Sequence, residues 1–589
     1  MILYNSLRIH CDCVPTIAKE AFIKKFFVKN PVSVIYPIKL RTMRFLLVLL
    51  LLPFTTIAQT KNDTIQLIQK VAALYDLEFT NAEADSMSDS MKNYTELFKG
   101  MHKTLPTNAI PYPFAFNPVP YGVLKQRMTQ TVSLPIRADM RMPKNKDDLA
   151  FYSIPELAGL IRSKQISSVE LTRFFLDRLK KWGDTLECVI TLTEDTAMAQ
   201  AKRADEEIKS GKYRGILHGI PYGLKDLFAV KGYKTTWGST PYKDQTVDED
   251  AYVYKRLRNA GAVLCAKLSL GALAFNNKWF GGETKNPWNL KQGSSGSSAG
   301  SAAAVVAGLL PFAIGTETLG SIVSPSTRCG ATGLRPSFGS ISRSGAMVLC
   351  WSLDKAGPIC RSAEDCAIVF NYIKGTDGKD YGSVDKNFNY DGVVNFKKLR
   401  VAYAENYFKR LAADAPERKV LEVYKSLGAD IKAVDFPDSS VYPVNLVSII
   451  LNAESAAAFD ELTRTNRDDL IERQDKGFWP NSFRAARMIP AVEYINANRY
   501  RYNLCKAIND FMKDYDVVIV PSFAGRQLSI TNLTGHPVVV MPMGFNQNGS
   551  PLSITLIGNL YDEATILAAA KAYQDKTDHN KKHPEKFLQ

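Results

Sequence analysis

Between residues 153 and 577 the apolar positions follow two alternating patterns. Stretches with apolar residues three and four apart, such as Leu171, Phe175, Leu179 and Trp182, predict amphipathic helices that bury one face. Short, mostly apolar runs, such as AVLCAKL (262–268), predict buried strands. Ser153-x-x-Glu156 and Ser167-x-x-Glu170 are capping-box patterns that start helices, and a helix over 194–210 stops at Gly211. AYVYKRLRNAG (251–261) and RKVLEVYKSLG (418–428) each read as a helix with a glycine stop, followed by a strand. Further apolar runs at 516–520, 537–541 and 552–557, with a closing helix from Asp562, complete the pattern. The expectation is an α/β protein: one large domain (149–589) with a central mixed β-sheet covered by helices. Residues 446–515 are mostly helical in pattern and contain FWPNSF (478–483), expected to cap one end of the sheet.

The N-terminal quarter differs. Residues 59–148 read as an N-terminal helical extension followed by a Pro-rich connector, IPYPFAFNPVPYG (110–122). Met43 and Arg44 precede FLLVLLLLPFTTIA (45–58), which is too short for a comfortable membrane span and ends on a small residue, so 43–58 reads as a signal peptide. Residues 1–42 do not fit a secretory n-region and read as an over-extended start, with Met43 as the true one. The expected product is exported, periplasmic or secreted, with no stable membrane insertion after cleavage; an uncleaved anchor or a buried apolar helix are the alternatives for the run.

Composition narrows the chemistry. The 589 residues are 46% hydrophobic and 23% charged, as in a globular protein, with a net charge of +15. Lys and Arg are scattered, and the last dense cluster (Lys581, Lys582, Lys586) lies in a polar tail, so a nucleic-acid partner is not expected. The cysteines after residue 58 show no CxxC or His-Cys spacing, and there are six histidines in all, so neither a metal site nor a cofactor is expected. The same cysteines define no disulfide framework.

Candidate chemistry concentrates in three segments. GSSGSSAGSAAAVVAG (293–308) packs serines and glycines and then runs straight into an alanine-rich helical stretch. It lacks the Gly-Lys-Ser/Thr of a phosphate loop and the G-x-G-x-x-G of a dinucleotide fold. Gly296–Gly300 matches G-x-S-x-G, but the preceding NPWNLKQ is no strand, which disfavours a nucleophile elbow pairing Ser298 with His536. GTETLGSIVSPS (315–326) is a second Gly/Ser turn. HGIPYGLKDLF (218–228) places Lys225 in an apolar setting, where burial lowers a lysine's pKa and makes a neutral amine available as a base.

Jointly these segments resemble the amidase signature family, with Ser297, Ser298 and Ser321 in the order and separation of its paired serines and nucleophile. TKNPW (284–288), GLRPSFGSISR (333–343), SLDKAGPICRSAEDCA (352–367) and NLTGHPVVVMPMGF (532–545) extend the likeness over about residues 153–577, most of the chain. The resemblance implies that Ser321 is the nucleophile, Ser297 a serine on a cis peptide that relays the proton, and Lys225 the neutral base. Ser298 would support Lys225, and backbone N–H groups of Thr318, Leu319 and Gly320 would form the oxyanion hole. The implied activity is hydrolysis of a carboxamide or acylamide through an acyl-enzyme, on a small-molecule amide or peptide amide. The alternatives are a non-catalytic binding protein on the same fold and a glutamine-hydrolysing amidotransferase A-type subunit. This chain departs from the commonest family form at Glu317 (an aspartate), Leu319 (a glycine), Val323 (an arginine), and Ser295 and Ala299 (glycines). Leu319 would be strained if its φ were positive. The acyl pocket is expected along 275–288 and around Phe478 and Trp479.

Overall fold

Strands β1 (Val189–Leu192), β2 (Pro221–Lys225) and β3 (Val263–Leu268) are followed by two small ribbons, β4 (Lys278–Trp279) with β5 (Gly282–Glu283) and β6 (Lys285–Asn286) with β7 (Asn289–Gly293). Then come β8 (Ala313–Glu317), β9 (Thr332–Arg335), β10 (Lys355–Cys360), β11 (Val401–Ala404), β12 (Ile431–Val434), β13 (Val517–Pro521), β14 (Val538–Phe545) and β15 (Pro551–Gly558). All but the ribbons join one 11-stranded sheet in the order β1-β3-β2-β8-β10-β9-β14-β15-β13-β11-β12. The sheet is mixed: β2 runs parallel to β3 and β8, and β11 parallel to β12 and β13, while the other pairings are antiparallel. Every residue of β2, β3, β9, β10 and β13 is buried. Helices therefore cover both faces, which is why the central strands of this sheet lack an apolar/polar alternation.

This computed structural model describes residues 61–75, 77–104, 132–134, 136–137, 139–437 and 443–588. The segments read as an over-extended start and a signal peptide, and the Pro-rich run 110–122, lie outside them.

Local signals set the helix starts. Glu156 reaches back to the Ser153 N–H at 2.7 Å, and Glu170 to that of Ser167 at 2.9 Å, each opening a helix (Ile154–Arg162 and Ser168–Leu186). On the second, Leu171, Phe175 and Leu179 are buried and Trp182 packs beside them. A helix at Lys61–Ala73 and another at Asn81–Lys103 form the N-terminal extension, and the insert before β13 contributes Val447–Ala458, Asp460–Arg464, Trp479–Ala486 and Ala491–Met512. The seven described cysteines are all free, six of them buried, and behave as small apolar side chains.

Candidate active site

β2 ends on Lys225, and its parallel neighbour β8 ends on Thr316 and Glu317, so the two strand termini deliver these side chains to one edge. The serine-rich loop 294–298 meets them there and leads into the helix Ala299–Val306. Lys225 is completely buried. Its Nζ lies 2.7 Å from Ser297 Oγ, 2.9 Å from Thr316 Oγ1 and 3.1 Å from Ser298 Oγ. Burial holds its pKa well below the ordinary lysine range of about 10.5, and the Asp354 and Glu317 carboxylates only partly oppose this.

Hydrogen-bond accounting distinguishes the two serines. Ser298 Oγ donates to the Thr316 carbonyl at 3.0 Å and accepts from the Thr316 N–H at 3.1 Å. Its proton is committed, so it accepts from Lys225. A neutral amine has two protons and one lone pair. Nζ has three hydroxyls in reach, and Ser297, at 2.7 Å, is the nearest of them. The peptide bond between Gly296 and Ser297 is cis.

Ser321 lies between β8 and the helix Val323–Cys329, and the Ser298 N–H donates to its carbonyl at 3.2 Å. Its hydroxyl has no hydrogen-bond partner among the described residues, and the backbone N–H groups of Leu319, Gly320 and Ser321 likewise donate to none of their acceptors. Gly320 carries the positive φ of this turn, +90°, and Leu319 does not, so the leucine needs no left-handed backbone. Thr318 is fixed through its side chain, which donates to Asp354 Oδ1 at 2.6 Å.

Glu317 anchors the turn from below. One carboxylate oxygen accepts from the Ile322 and Val323 N–H groups at 2.8 and 2.9 Å; the other accepts from Arg335 and Asn532, both at 2.8 Å. Burial alone would raise this carboxyl, but Arg335, Lys355 and the backbone donors hold it down at about 2. The Arg335–Glu317 pair is fully buried. Glu317→Ala strands a buried guanidinium and two N–H groups, and urea denaturation is expected to show a loss of about 3–5 kcal/mol. A loss below about 1 kcal/mol contradicts the anchoring role.

The serine loop holds a strained residue. Ser295 has φ +60°, a conformation that costs an L-residue about 1–2 kcal/mol. Ser295→Gly is expected to stabilise the protein by about 1 kcal/mol, read from the denaturation midpoint. Gly296 tolerates no side chain, because a Cβ there would sit 1.8 Å from the Asn276 carbonyl oxygen.

A cavity of about 710 Å³ adjoins this edge, reaching it at Thr316, Thr318 and Asp354. Its wall is not the one expected from sequence. Phe275, Phe478 and Trp479 pack on one another, with ring centroids 4.8 and 5.0 Å apart, and Trp479 is tied to the Leu273 carbonyl. The cavity is lined instead by Leu227, Phe228 and Phe338, by the segment 343–356, and by Glu454 and Tyr494 of the insert. The Ser298–His536 pairing is also absent: His536 is buried with Nδ1 against Thr534 Oγ1 at 2.8 Å. Sequence reasoning missed Thr316, the anchoring by Glu317 and the wall carboxylates Asp354 and Glu454. Thr316 and Glu317 stand in the quoted GTETLGS run, but nothing in the spacing of that run marks which side chain faces the lysine.

A family model described as Amidase matches residues 170–530. The A-type subunit of the glutamyl-tRNA(Gln) amidotransferase of Coxiella burnetii (strain RSA 493 / Nine Mile phase I) is 34% identical over 481 residues, spanning 73% of this chain and 99% of the relative. The native peptide amidase of Stenotrophomonas maltophilia superposes with a TM-score of 0.65 at 26% identity, over 73% of this chain and 98% of that one. An amidase family protein from Bacillus anthracis str. Ames gives 0.67 at 26% identity, over 74% and 93%. With its family model matched over more than half its length and a relative this similar across nearly all of that relative's own, the chain belongs to the amidase family.

Proposed function

We propose that the protein is an amide hydrolase that works through an acyl-enzyme on Ser321. The observation that carries this is the buried Lys225 amine 2.7 Å from Ser297 Oγ, beside a turn whose N–H groups and Ser321 hydroxyl have no partner among the described residues. Ser321 Oγ attacks the amide carbonyl carbon while its proton passes to Ser297 Oγ and the Ser297 proton passes to Lys225 Nζ. The N–H groups of the 318–321 turn receive the developing oxyanion. When the tetrahedral adduct collapses, the C–N bond breaks, the departing amine takes the proton back through Ser297, and the acyl group stays on Ser321. Water then attacks the ester by the same relay, releasing the carboxylic acid and regenerating the serine.

A second reading, a glutamine-dependent amidotransferase subunit, is favoured by the 34% identity to such subunits. Two observations support the hydrolase over it. Free glutamine presents a carboxylate and an ammonium that need charged partners; on the cavity wall Arg343 is already bound bidentately by Asp380, Asp354 and Glu454 accept internal donors, and the exposed Lys379 stands at the rim. The apolar run after Met43-Arg44, read as a signal peptide, points to a periplasmic or secreted enzyme working without tRNA. Purified protein should release ammonia from apolar carboxamides or peptide amides far faster than from glutamine; preference for glutamine overturns the reading. N-terminal sequencing of the exported protein should find residue 59 first, and recovery of residues 1–42 on it means that the signal was misread.

A further inference from the structure

The N-terminal helices Lys61–Ala73 and Asn81–Lys103 take no part in the sheet. They share a small core of Ile68, Ala72, Leu77, Met87 and Tyr94 that closes on Ala485 of the insert. Polar bonds reach further. Glu83 pairs with Arg484 at 2.9 Å and Asp89 with Lys476 at 3.1 Å. Tyr94 OH accepts from Asn452 Nδ2 at 2.9 Å, and Tyr500 OH donates to the Met101 carbonyl at 3.0 Å.

Those last two bonds grip the helices that wall the cavity. Asn452 and Glu454 are two positions apart on the helix Val447–Ala458, about 200° around its axis, so one faces outward when the other faces in. Tyr500 and Tyr494 are separated by about 240° on Ala491–Met512. On the inner faces, Tyr494 OH donates to Glu454 Oε1 at 2.9 Å, and both residues line the cavity. Glu454 continues the contact into the opposite wall by accepting from the Ser352 N–H at 2.9 Å and hydroxyl at 2.6 Å.

We infer that this helical pair is the outer brace of the acyl pocket: it fixes the Glu454–Tyr494 wall and thereby sets how large an acyl group the cavity holds. The substrate part of this inference rests on the amide-hydrolase reading. Loosening the brace weakens contact with a substrate that reaches the far wall and leaves alone one that occupies only the space beside Ser321.

The test compares propionamide with 3-phenylpropionamide, which differ by one ring, on full-length protein and Tyr94→Ala. The expected result is a KM for 3-phenylpropionamide about tenfold higher, with kcat for both and KM for propionamide within about twofold. Equal changes for both amides, or none, overturn the inference, because a merely stabilising contact does not discriminate between them. Asn452→Ala removes a single hydrogen bond and carries the comparison if Tyr94→Ala does not fold. Hydrogen exchange separates this inference from the reading on which it rests. Should the parent hydrolyse neither amide, the hydrolase reading falls. The brace is then judged by protection of 447–458, whose loss in the variant supports it and whose persistence overturns it.

Discussion

Ser321→Ala abolishes amide hydrolysis while the fold persists. The expectation is a fall in kcat of at least about 10⁴, since the acyl-enzyme route disappears and only binding and the oxyanion donors remain. The structural cost is small, because the Ser321 hydroxyl makes no hydrogen bond among the described residues and the position is almost buried already. Unfolding free energies should therefore match within about 1 kcal/mol. Activity within about tenfold of the parent rules out the nucleophile assignment. The neighbouring serines refine the result. Ser297→Ala removes the relay's middle hydroxyl and is expected to cost several orders of magnitude in kcat with little change in stability. Ser298→Ala leaves the Thr316 N–H and carbonyl without their partner and should act on stability first. If Ser298→Ala were the slower enzyme of the two, the relay would run through the other serine.

The strands that only pack were far more legible than those that carry the site. β13, β14 and β15 are largely apolar runs, β3 is one interrupted by Lys267, and each has a clear turn or helix beside it. β2, β8 and β10 read PYGLK, AIGTE and KAGPIC, with a charge and a glycine in every one. These are the strands that carry Lys225, Glu317 and Lys355, and an ionisable residue together with a glycine in so short a stretch hides the strand pattern. The serine loop and the lysine stood out only as a joint pattern resembling a family. Other parts were beyond reach because the partners are distant in the chain. Asn532 bonds Glu317 across 215 positions, and Asn452 meets Tyr94 across 358. The cavity wall was misplaced for a related reason. Phe478 and Trp479 look like a pocket lining by composition, but both rings pack against Phe275, with Trp479 buried and Phe478 half-buried. The departure at Leu319 resolved itself locally, since the neighbouring Gly320 supplies the positive φ.

Lys225 is the residue on which the proposed mechanism turns, and its expected behaviour follows from its surroundings. Desolvation in a completely buried site disfavours the ammonium, and the carboxylates of Asp354 and Glu317 are the charges that oppose this. Hydrolysis should therefore rise with pH through one ionisation lying well below the ordinary lysine value of about 10.4, the proton leaving Lys225 as the base becomes competent. Lys225→Ala should lose that limb and most of the rate, and its residual activity should grow with hydroxide, which replaces the missing base. Lys225→Arg should not rescue, because guanidinium stays protonated and cannot accept the Ser297 proton. Stability gives an independent check with a fixed sign. A lysine whose folded pKa is depressed binds more protons when unfolded, so between the folded value and the unfolded value of about 10.4 stability rises with pH. Lys225→Met removes that proton uptake, and its unfolding free energy should rise less steeply with pH over the same window. An arginine variant with substantial activity, or a methionine variant with the parent's pH dependence of both rate and stability, would place the base elsewhere and leave Lys225 as no more than a buried charge.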